Sequence, residues 1–375
     1  MLYFDHAATT PVPQAVADTM ADVLVHGFGN PSAQYSLGRE AKARLDADRA
    51  VIADALGCKP QELIFTSCGT EGDNWAIRSS LYQNRHVGRH IITTAVEHSA
   101  ILKCLKDLEG NGYEVTYLKP DSKGRITAQQ VADALREDTA LVSMMMVNNE
   151  TGVVFPIAQV AELLKGRPTL LHTDAVQAFL KVPFSAKTLG ADYIALSAHK
   201  IGGPKGIGAL YAGGKAKALR PLMYGGGQEQ GLRPGTEATA QIAGFAKAVE
   251  LRCANLEEGI RHMAQCKAYT IEKLTQIPGL VVVGDGEAPH VLSVSLPGYP
   301  SQNIVSDLDS KGIYISAGSA CHKGKASQVL TAMGLDKKVA AGTIRISFAP
   351  DTKLEDIDTL ADAIREHKEH RFPML

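Results

Sequence analysis

Two residues near the middle of the chain carry side chains that could perform one demanding kind of chemistry together. Asp174 comes directly after a predicted strand at residues 169–173, and Lys200 follows the next predicted strand, at residues 192–196. In an open parallel sheet, the carboxyl ends of the strands form the edge at which ligands bind. We therefore expect the Lys200 amine and the Asp174 carboxylate to face one site.

This pair of groups is what pyridoxal phosphate requires of a protein. A lysine amine forms its Schiff base, and a carboxylate keeps its pyridine nitrogen protonated, which makes the ring an electron sink. The cofactor also needs a phosphate cradle. Residues 67–72 follow a predicted strand and precede a helix whose free N–H groups suit an anion, although a plain helix cap is the alternative interpretation. The glycine-rich turn at 202–206 is not a P-loop, because no Gly-Lys-Ser or Gly-Lys-Thr ends it.

Two more segments that follow predicted strands could serve the same cofactor. His98 could stack on the cofactor ring, although a histidine on the surface is the commoner case. The amide of Asn149 could reach a ring oxygen, and a simple asparagine turn is the alternative. With Lys200 and Asp174, these residues place all the candidate chemistry just after strands.

An α/β scaffold is needed to bring these positions together. Short apolar runs alternate with segments of helical period between about residues 60 and 215, which indicates βαβ units and a mostly parallel sheet covered on both faces. The predicted strands are residues 62–66, 89–93, 114–118, 140–147, 169–173, 192–196 and 207–211, and helices are predicted at 127–136 and 156–164.

The pattern changes after Thr236 to a long helical stretch that runs to about Leu274. Beyond it, strands are predicted at residues 280–283, 291–296 and 343–348, and helices at 302–310 and 353–367. We therefore predict a large cofactor-binding domain of residues 15–255 and a smaller α+β domain made of residues 1–14 and 256–375.

The composition is that of an ordinary globular protein and argues against several classes. The 375 residues include 39 Lys and Arg against 40 Asp and Glu, a net charge of -1 that gives no electrostatic footprint for nucleic acid or an anionic membrane. No apolar run approaches the ~20 residues of a membrane-spanning helix. The first residues lack the basic start of a signal peptide, so we expect a cytoplasmic protein. The six cysteines form no Cys-x-x-Cys pair, and no metal site is expected.

Ordered motifs along nearly the whole chain resemble the cysteine desulfurases, pyridoxal-phosphate enzymes of the class V aminotransferase group with the fold-type I architecture. The matching segments are residues 3–11 (YFDHAATTP), 29–32 (GNPS), 65–67 (FTS), 97–98 (EH), 148–152 (NNETG), 172–177 (HTDAVQ), 197–200 (SAHK), 233–236 (RPGT), 316–321 (SAGSAC) and 345–348 (RISF). The resemblance implies a homodimer that takes L-cysteine as substrate and passes sulfur to an acceptor protein.

The resemblance also implies a role for each candidate residue. Lys200 looks like the Schiff-base lysine, Asp174 like the partner of the pyridine nitrogen, and His98 like the residue stacked on the ring. The other implied cofactor contacts are Asn149 and Gln177 at the ring oxygen, Gly69, Thr70, Ser197 and His199 at the phosphate, and Thr236 at the phosphate in the second subunit. Asn30 and Arg345 resemble the group near the substrate carboxylate, although Arg345 on a strand could equally form a structural salt bridge.

Cys321 is the position that separates sulfur chemistry from amine transfer. Its small, basic flank at residues 318–324 suits an exposed and reactive thiol, and a packing role better suits the cysteines at 58, 104, 253 and 266. Three features depart from the family pattern. The loop after Cys321 is shorter and lacks a Pro-Ser-His sequence, Cys68 stands where glycine or alanine is common, and Tyr35 replaces a histidine.

The implied reaction converts L-cysteine to L-alanine and leaves the sulfur as a persulfide on Cys321, for iron-sulfur cluster or thio-cofactor synthesis. Lys200 would move the Cα proton, and His98 would move a proton at the substrate thiol. Three alternatives stay open. A selenocysteine or cysteine-sulfinate lyase would need Cys321 less, a class V aminotransferase would have no use for it, and a non-catalytic protein would not need the intact Lys200, Asp174 and His98.

Overall fold

The computed structural model describes residues 1–318 and 327–373, and its centre is a seven-stranded sheet. The strands of the protein, in chain order, are β1 (Leu2–Tyr3), β2 (Leu63–Thr66), β3 (His90–Thr94), β4 (Glu114–Leu118), β5 (Thr139–Ser143), β6 (Leu170–Asp174), β7 (Tyr193–Ser197), β8 (Gly208–Ala212), β9 (Val281–Val283), β10 (Val291–Ser295), β11 (Ile313–Tyr314), β12 (Ser316–Ala317) and β13 (Thr343–Ser347). The α-helices are α1 (Gln14–Val25), α2 (Ser36–Leu56), α3 (Gly69–Gln83), α4 (Ser99–Gly110), α5 (Ala128–Ala134), α6 (Ile157–Leu163), α7 (Ala186–Leu189), α8 (Thr239–Cys253), α9 (Leu256–Thr275), α10 (Ser301–Ser310), α11 (Gln328–Ala332), α12 (Lys337–Ala341) and α13 (Leu354–His370).

The large sheet is mostly parallel, as the sequence predicted. Its strand order is β2-β8-β7-β6-β5-β3-β4, and β8 runs antiparallel to both of its neighbours while the other pairs are parallel. Successive strand residues point to opposite faces. Ile91 packs in the core that includes Trp75 of α3, whereas Ile92 packs in the core that includes Phe245 of α8. Apolar residues on both faces of the sheet are therefore covered by helices.

A second, smaller sheet has the antiparallel order β12-β13-β10-β9. Its core contains side chains from α9, α10 and α13, together with Phe4, whose ring meets that of Phe348 edge-on. The amino-terminal segment joins this unit, because β1 pairs with β11 and Asp5 forms a bridge with Ser347. The first residues of the chain thus run from the small sheet toward the large one.

Two predicted elements differ from the structure. The strand expected at 140–147 ends at Ser143. Beyond it, the N–H groups of Met144 and Met146 still donate to the carbonyl oxygens of His172 and Asp174, whereas the N–H of Met145 donates to the carboxylate of Glu97. The helical stretch expected to run to Leu274 is two helices, α8 and α9, separated by Ala254 and Asn255. No helix in the described residues has the length and apolar character needed to span a membrane.

Candidate active site

A cavity of about 370 Å³ opens beside the carboxyl ends of β6 and β7, the edge that the sequence predicted for ligand binding. The predicted site residues that line it are Gly69, Thr70, His98, Asn149, Asp174, Gln177, Ser197, His199, Lys200 and Arg345. All of them except Arg345 lie at or shortly after the carboxyl ends of five strands, and Arg345 lies on β13. The cavity is large enough for a small-molecule cofactor and within the usual size of ligand sites.

Lys200 ends a short 3-10 helix, Ala198–Lys200, that begins directly after β7. Its Nζ donates hydrogen bonds of 2.6 Å to the carbonyl oxygens of Ala7 and Ala8. These two residues also line the cavity. The amino-terminal segment thus positions the lysine amine at the cavity wall, which explains how a motif at the start of the chain takes part in this site.

Asp174 is the last residue of β6 and is buried. One of its carboxylate oxygens, Oδ1, accepts a hydrogen bond of 2.8 Å from the N–H of Val176. Burial raises the pKa of Asp174, and the nearby His98 and Lys200 act in the opposite direction. A buried carboxylate suits the task of holding a proton on an aromatic nitrogen.

Asp73 is a cavity residue that the sequence analysis missed. It is almost fully buried on α3, and neither of its carboxylate oxygens has a hydrogen-bond partner in the described chain, although Oδ1 lies 3.4 Å from Nε2 of His172. Burial raises its pKa well above the ordinary value, and the carboxylates of Asp174 and Glu97 add to the effect. Burial among other carboxyl groups thus opposes a second negative charge beside Asp174. The sequence does contain a signal for this residue: Asp73 is four residues after Gly69, so both lie on the same face of the helix.

Glu97 is a further carboxyl group that lines this cavity. It accepts hydrogen bonds from the hydroxyl of Thr94 at 2.7 Å and from the N–H of Met145 at 3.0 Å. Burial raises the pKa of Glu97 to about 8. The next residue, His98, caps α4, since its Nδ1 accepts a hydrogen bond from the N–H of Ala100. This contact leaves the ring proton of a neutral His98 on Nε2.

The region around Ser197 and Gly69 fits the phosphate of pyridoxal phosphate. The Ser197 hydroxyl is buried and has no hydrogen-bond partner among the residues that the structure describes. A Cβ atom on Gly69 would lie 2.7 Å from Cγ2 of Val176, so a larger residue would fill the space at the start of the fifteen-residue helix α3. An orphaned hydroxyl and open helix N–H groups are suitable donors for a phosphate. With Lys200 and Asp174 in the same cavity, the residues present fit the cofactor.

His199 adds a neutral imidazole beside this region. Its Nδ1 lies 3.1 Å from the hydroxyl of Thr9, and its backbone carbonyl accepts a hydrogen bond from Thr10. Burial lowers the pKa of His199 to about 4, with Lys200 and other lysines acting in the same direction. The ring therefore serves as a hydrogen-bonding group rather than a cation at neutral pH.

Arg345 reaches the cavity from β13 of the small sheet. Its Nη1 donates to the carbonyl oxygen of Asn149 at 2.9 Å, and its Nη2 donates to Asp5 at 2.7 Å. The structural salt bridge considered from the sequence is thus present. Its Nε is buried and, within the described ranges, has no hydrogen-bond partner. The guanidinium is held in place and still has a donor for a further anion.

Two predicted site residues lie elsewhere, and a third falls outside the described part of the chain. Asn30 is exposed, and its side-chain oxygen accepts a hydrogen bond from the N–H of Ser32. Thr236 is exposed and does not line the cavity of its own chain. Cys321 lies outside the described residues, although Gly318 and Gln328, on either side of that segment, line the cavity.

The other cysteines differ in their surroundings. Cys68 lines the cavity, with its Sγ 3.5 Å from the hydroxyl of Ser67. Burial raises the pKa of Cys58 to about 12 and that of Cys104 to about 11, so these two thiols stay protonated. Cys253, expected to be a packing residue, is exposed.

Comparison with known proteins gives a consistent result. The class-V aminotransferase family model matches residues 2–360. A putative cysteine desulfurase, IscS 1 of Bacillus subtilis strain 168, is 42% identical over 371 residues, which cover 97% of this chain and 98% of the relative. A solved NifS-like protein matches with a TM-score of 0.91 and 37% identity, over 97% of this chain and 98% of its own. A structure described as SspA in complex with cysteine matches with a TM-score of 0.81 and 35% identity, over 93% and 99%. The chain therefore belongs to the cysteine desulfurase family of class-V aminotransferases, whose members depend on pyridoxal phosphate.

Proposed function

We propose that this chain converts L-cysteine to L-alanine and passes the sulfur to Cys321 as a persulfide. One observation carries the proposal: a single cavity holds Lys200, the buried Asp174 and Arg345, between the two flanks of the Cys321 segment. Bound pyridoxal phosphate supplies an electron sink for the charge that develops at the substrate Cα.

Each residue then has a defined task. Arg345 lines the cavity and is assigned to bind the substrate carboxylate, because each of its Nη atoms donates one N–H, to Asn149 or to Asp5, and keeps a second one. Lys200 removes the Cα proton and returns a proton to the product. The Cys321 thiolate attacks the substrate sulfur, so that the C–S bond breaks, an S–S bond forms and the former Cβ gains a proton.

The assembly and setting of the enzyme are part of the same proposal. We propose a cytoplasmic homodimer, in which the exposed Thr236 of one subunit contacts the phosphate bound by the other. Residues 15–255 form the cofactor-binding domain, and residues 1–14 with 256–375 form the smaller one, which agrees with a separate core that joins Phe4 to side chains of α9, α10 and α13. An acceptor protein takes the sulfur from Cys321 for iron-sulfur cluster assembly.

The test is an assay of alanine and sulfide from L-cysteine, with and without a thiol reductant. We expect alanine in both conditions, and sulfide mainly after the reductant releases it from the protein. Selenocysteine and cysteine sulfinate are assayed in parallel, and faster turnover of either would assign the lyase alternative. Pyruvate formed from L-alanine would instead assign an aminotransferase.

A further inference from the structure

Two buried groups that belong to none of the predicted site residues hold the side-chain oxygen of Gln177. The Nζ of Lys181 and the Nε2 of His290 each lie 3.2 Å from Gln177 Oε1. Lys181 is 3% exposed and His290 is 1% exposed. Gln177 itself lines the cavity, and Lys181 and His290 contact it from behind.

Both groups act as donors to this oxygen. An amide oxygen only accepts hydrogen bonds, so the proton of the His290 ring lies on Nε2. Its Nδ1 is buried and without a partner in the described residues, as expected for an uncharged ring. Burial lowers the pKa of both side chains well below the ordinary values. The charged groups that act on them are all positive and work in the same direction: Lys200 and Arg252 on Lys181, and Lys181, Lys267, Arg252 and Arg345 on His290.

These contacts fix which way the Gln177 amide points. Its Nε2 donates a hydrogen bond of 2.8 Å to the carbonyl oxygen of Ala7. The same oxygen accepts the bond from Lys200 Nζ. A reversed amide would place two acceptor oxygens against each other at Ala7 and would turn its own N–H groups toward the donors of Lys181 and His290. The hydrogen bond to Ala7 therefore sets the observed orientation, in which Oε1 accepts from both Lys181 and His290.

We propose that Lys181 and His290 are positioning residues that lock the Gln177 amide with its N–H groups toward Ala7 and the cavity. One N–H is used by Ala7, and the other remains for the ring oxygen of the cofactor. The lock also keeps the Ala7 carbonyl aligned on Lys200. This inference rests on the part of the proposed function that assigns pyridoxal phosphate as the cofactor. It does not depend on which group accepts the sulfur.

The experiment measures the purified holoenzyme without L-cysteine. In His290→Leu and Lys181→Met, we expect affinity for pyridoxal phosphate to fall by about threefold to tenfold, the effect of one weakened hydrogen bond. The pH midpoint of the cofactor absorbance should rise by about 0.5 to 1 unit, because a lost N–H donor no longer stabilises the anionic ring oxygen. His290→Asn should restore both values, since its amide can still donate.

A double-mutant cycle separates positioning from a merely structural role. In a Gln177→Met background, His290→Leu and Lys181→Met should cause no further shift in the absorbance midpoint. An undiminished shift there, or native affinity and midpoint in both single variants, would overturn the proposal. His290→Asn and Lys181→Arg keep a donor, and they are measured instead if the apolar variants do not fold. Because no measurement uses alanine or sulfide, failure here is distinct from failure of the proposed reaction.

Discussion

Arg345 and Asp5 form an ion pair that joins the small sheet to the amino-terminal segment. The two side chains are 7% and 20% exposed, and Nη2 lies 2.7 Å from Oδ1. The same guanidinium also binds the carbonyl oxygen of Asn149, in the loop after the end of β5. Arg345 thus contacts three parts of the chain, and these contacts fix the plane of a guanidinium that also lines the cavity.

Removing Asp5 should destabilise the protein, because the buried guanidinium of Arg345 loses its carboxylate partner. For Asp5→Ala we expect a loss of about 1 to 3 kcal/mol in the free energy of unfolding, measured with urea in the presence of cofactor. Asp285 pairs with Arg125 at the surface, and its side chain is 54% exposed. Asp285→Ala should therefore cost about 0.5 kcal/mol or less. Equal losses in the two variants would contradict this account.

Lys200 should be the residue that holds the cofactor covalently. In Lys200→Ala, borohydride treatment should no longer add the mass of pyridoxal phosphate to the protein, while the circular dichroism spectrum stays native. Lys205, exposed in the turn that follows, is the matched control, and Lys205→Ala should be labelled as fully as the wild type. Labelling of Lys200→Ala at full yield would move the anchor to another lysine.

Asp174→Asn should retain the cofactor and lose most of the activity. A neutral amide no longer favours a protonated pyridine nitrogen, so we expect alanine formation to fall by about a hundredfold or more. Asp192 is also buried, but its carboxylate accepts hydrogen bonds from the N–H groups of Leu171 and Lys215 away from the cavity. Asp192→Asn should leave the specific activity of the folded enzyme near normal. Similar activity in both variants would remove Asp174 from its assigned task.

Glu150 should make stability depend on pH. Burial raises its pKa from about 4.5 to about 7, and its carboxylate accepts a hydrogen bond from Ser327, at the start of α11. The folded state therefore holds this proton when the unfolded state has lost it, and stability falls as pH rises from about 4.5 to about 7 and levels off above it. For Glu150→Gln, the difference in unfolding free energy between pH 5 and pH 8 should shrink, by at most about 3 kcal/mol. Glu162→Gln, at an exposed position, should leave the difference unchanged.

The sequence predicted the cavity edge because its strongest signals are local. Apolar runs that end at Asp174 and just before Lys200 identify strands and their carboxyl ends, and these two side chains do line one cavity. The seven-stranded, mostly parallel sheet follows from the same periodicity. Features that depend on a single segment, such as the strands and their carboxyl ends, could therefore be predicted from the sequence.

Contacts between segments that are distant in the sequence could not be predicted from local patterns. Asp5 and Arg345 are 340 positions apart, and neither local sequence indicates which partner it has. The strand expected to reach Val147 ends at Ser143, and beyond it the N–H of Met145 donates to the carboxylate of Glu97, a tertiary contact that an apolar run does not reveal. Burial of Asp73 likewise depends on how α3 packs on the sheet. Such features require the assembled fold.

Cys321→Ser should separate two stages of the reaction. A hydroxyl is close in size to a thiol, but it has almost no nucleophilic anion near pH 7 and cannot store sulfur as a persulfide. Substrate binding at Arg345 and proton removal by Lys200 do not involve residue 321. We therefore expect the variant to change the cofactor absorbance when L-cysteine is added, yet to form little alanine and no protein-bound persulfide.

Cys68→Ser is the necessary control, because Cys68 is the cysteine that lines the cavity within the described residues. Its Sγ lies beside the Ser67 hydroxyl, at the residue that precedes α3 and close to the region fitted to the phosphate. If Cys321 accepts the sulfur, Cys68→Ser should affect cofactor affinity at most and still form persulfide at the normal yield. Wild-type turnover in Cys321→Ser, together with loss of turnover in Cys68→Ser, would assign the sulfur to Cys68 instead. Persulfide mapping by mass spectrometry of both variants distinguishes the two outcomes directly.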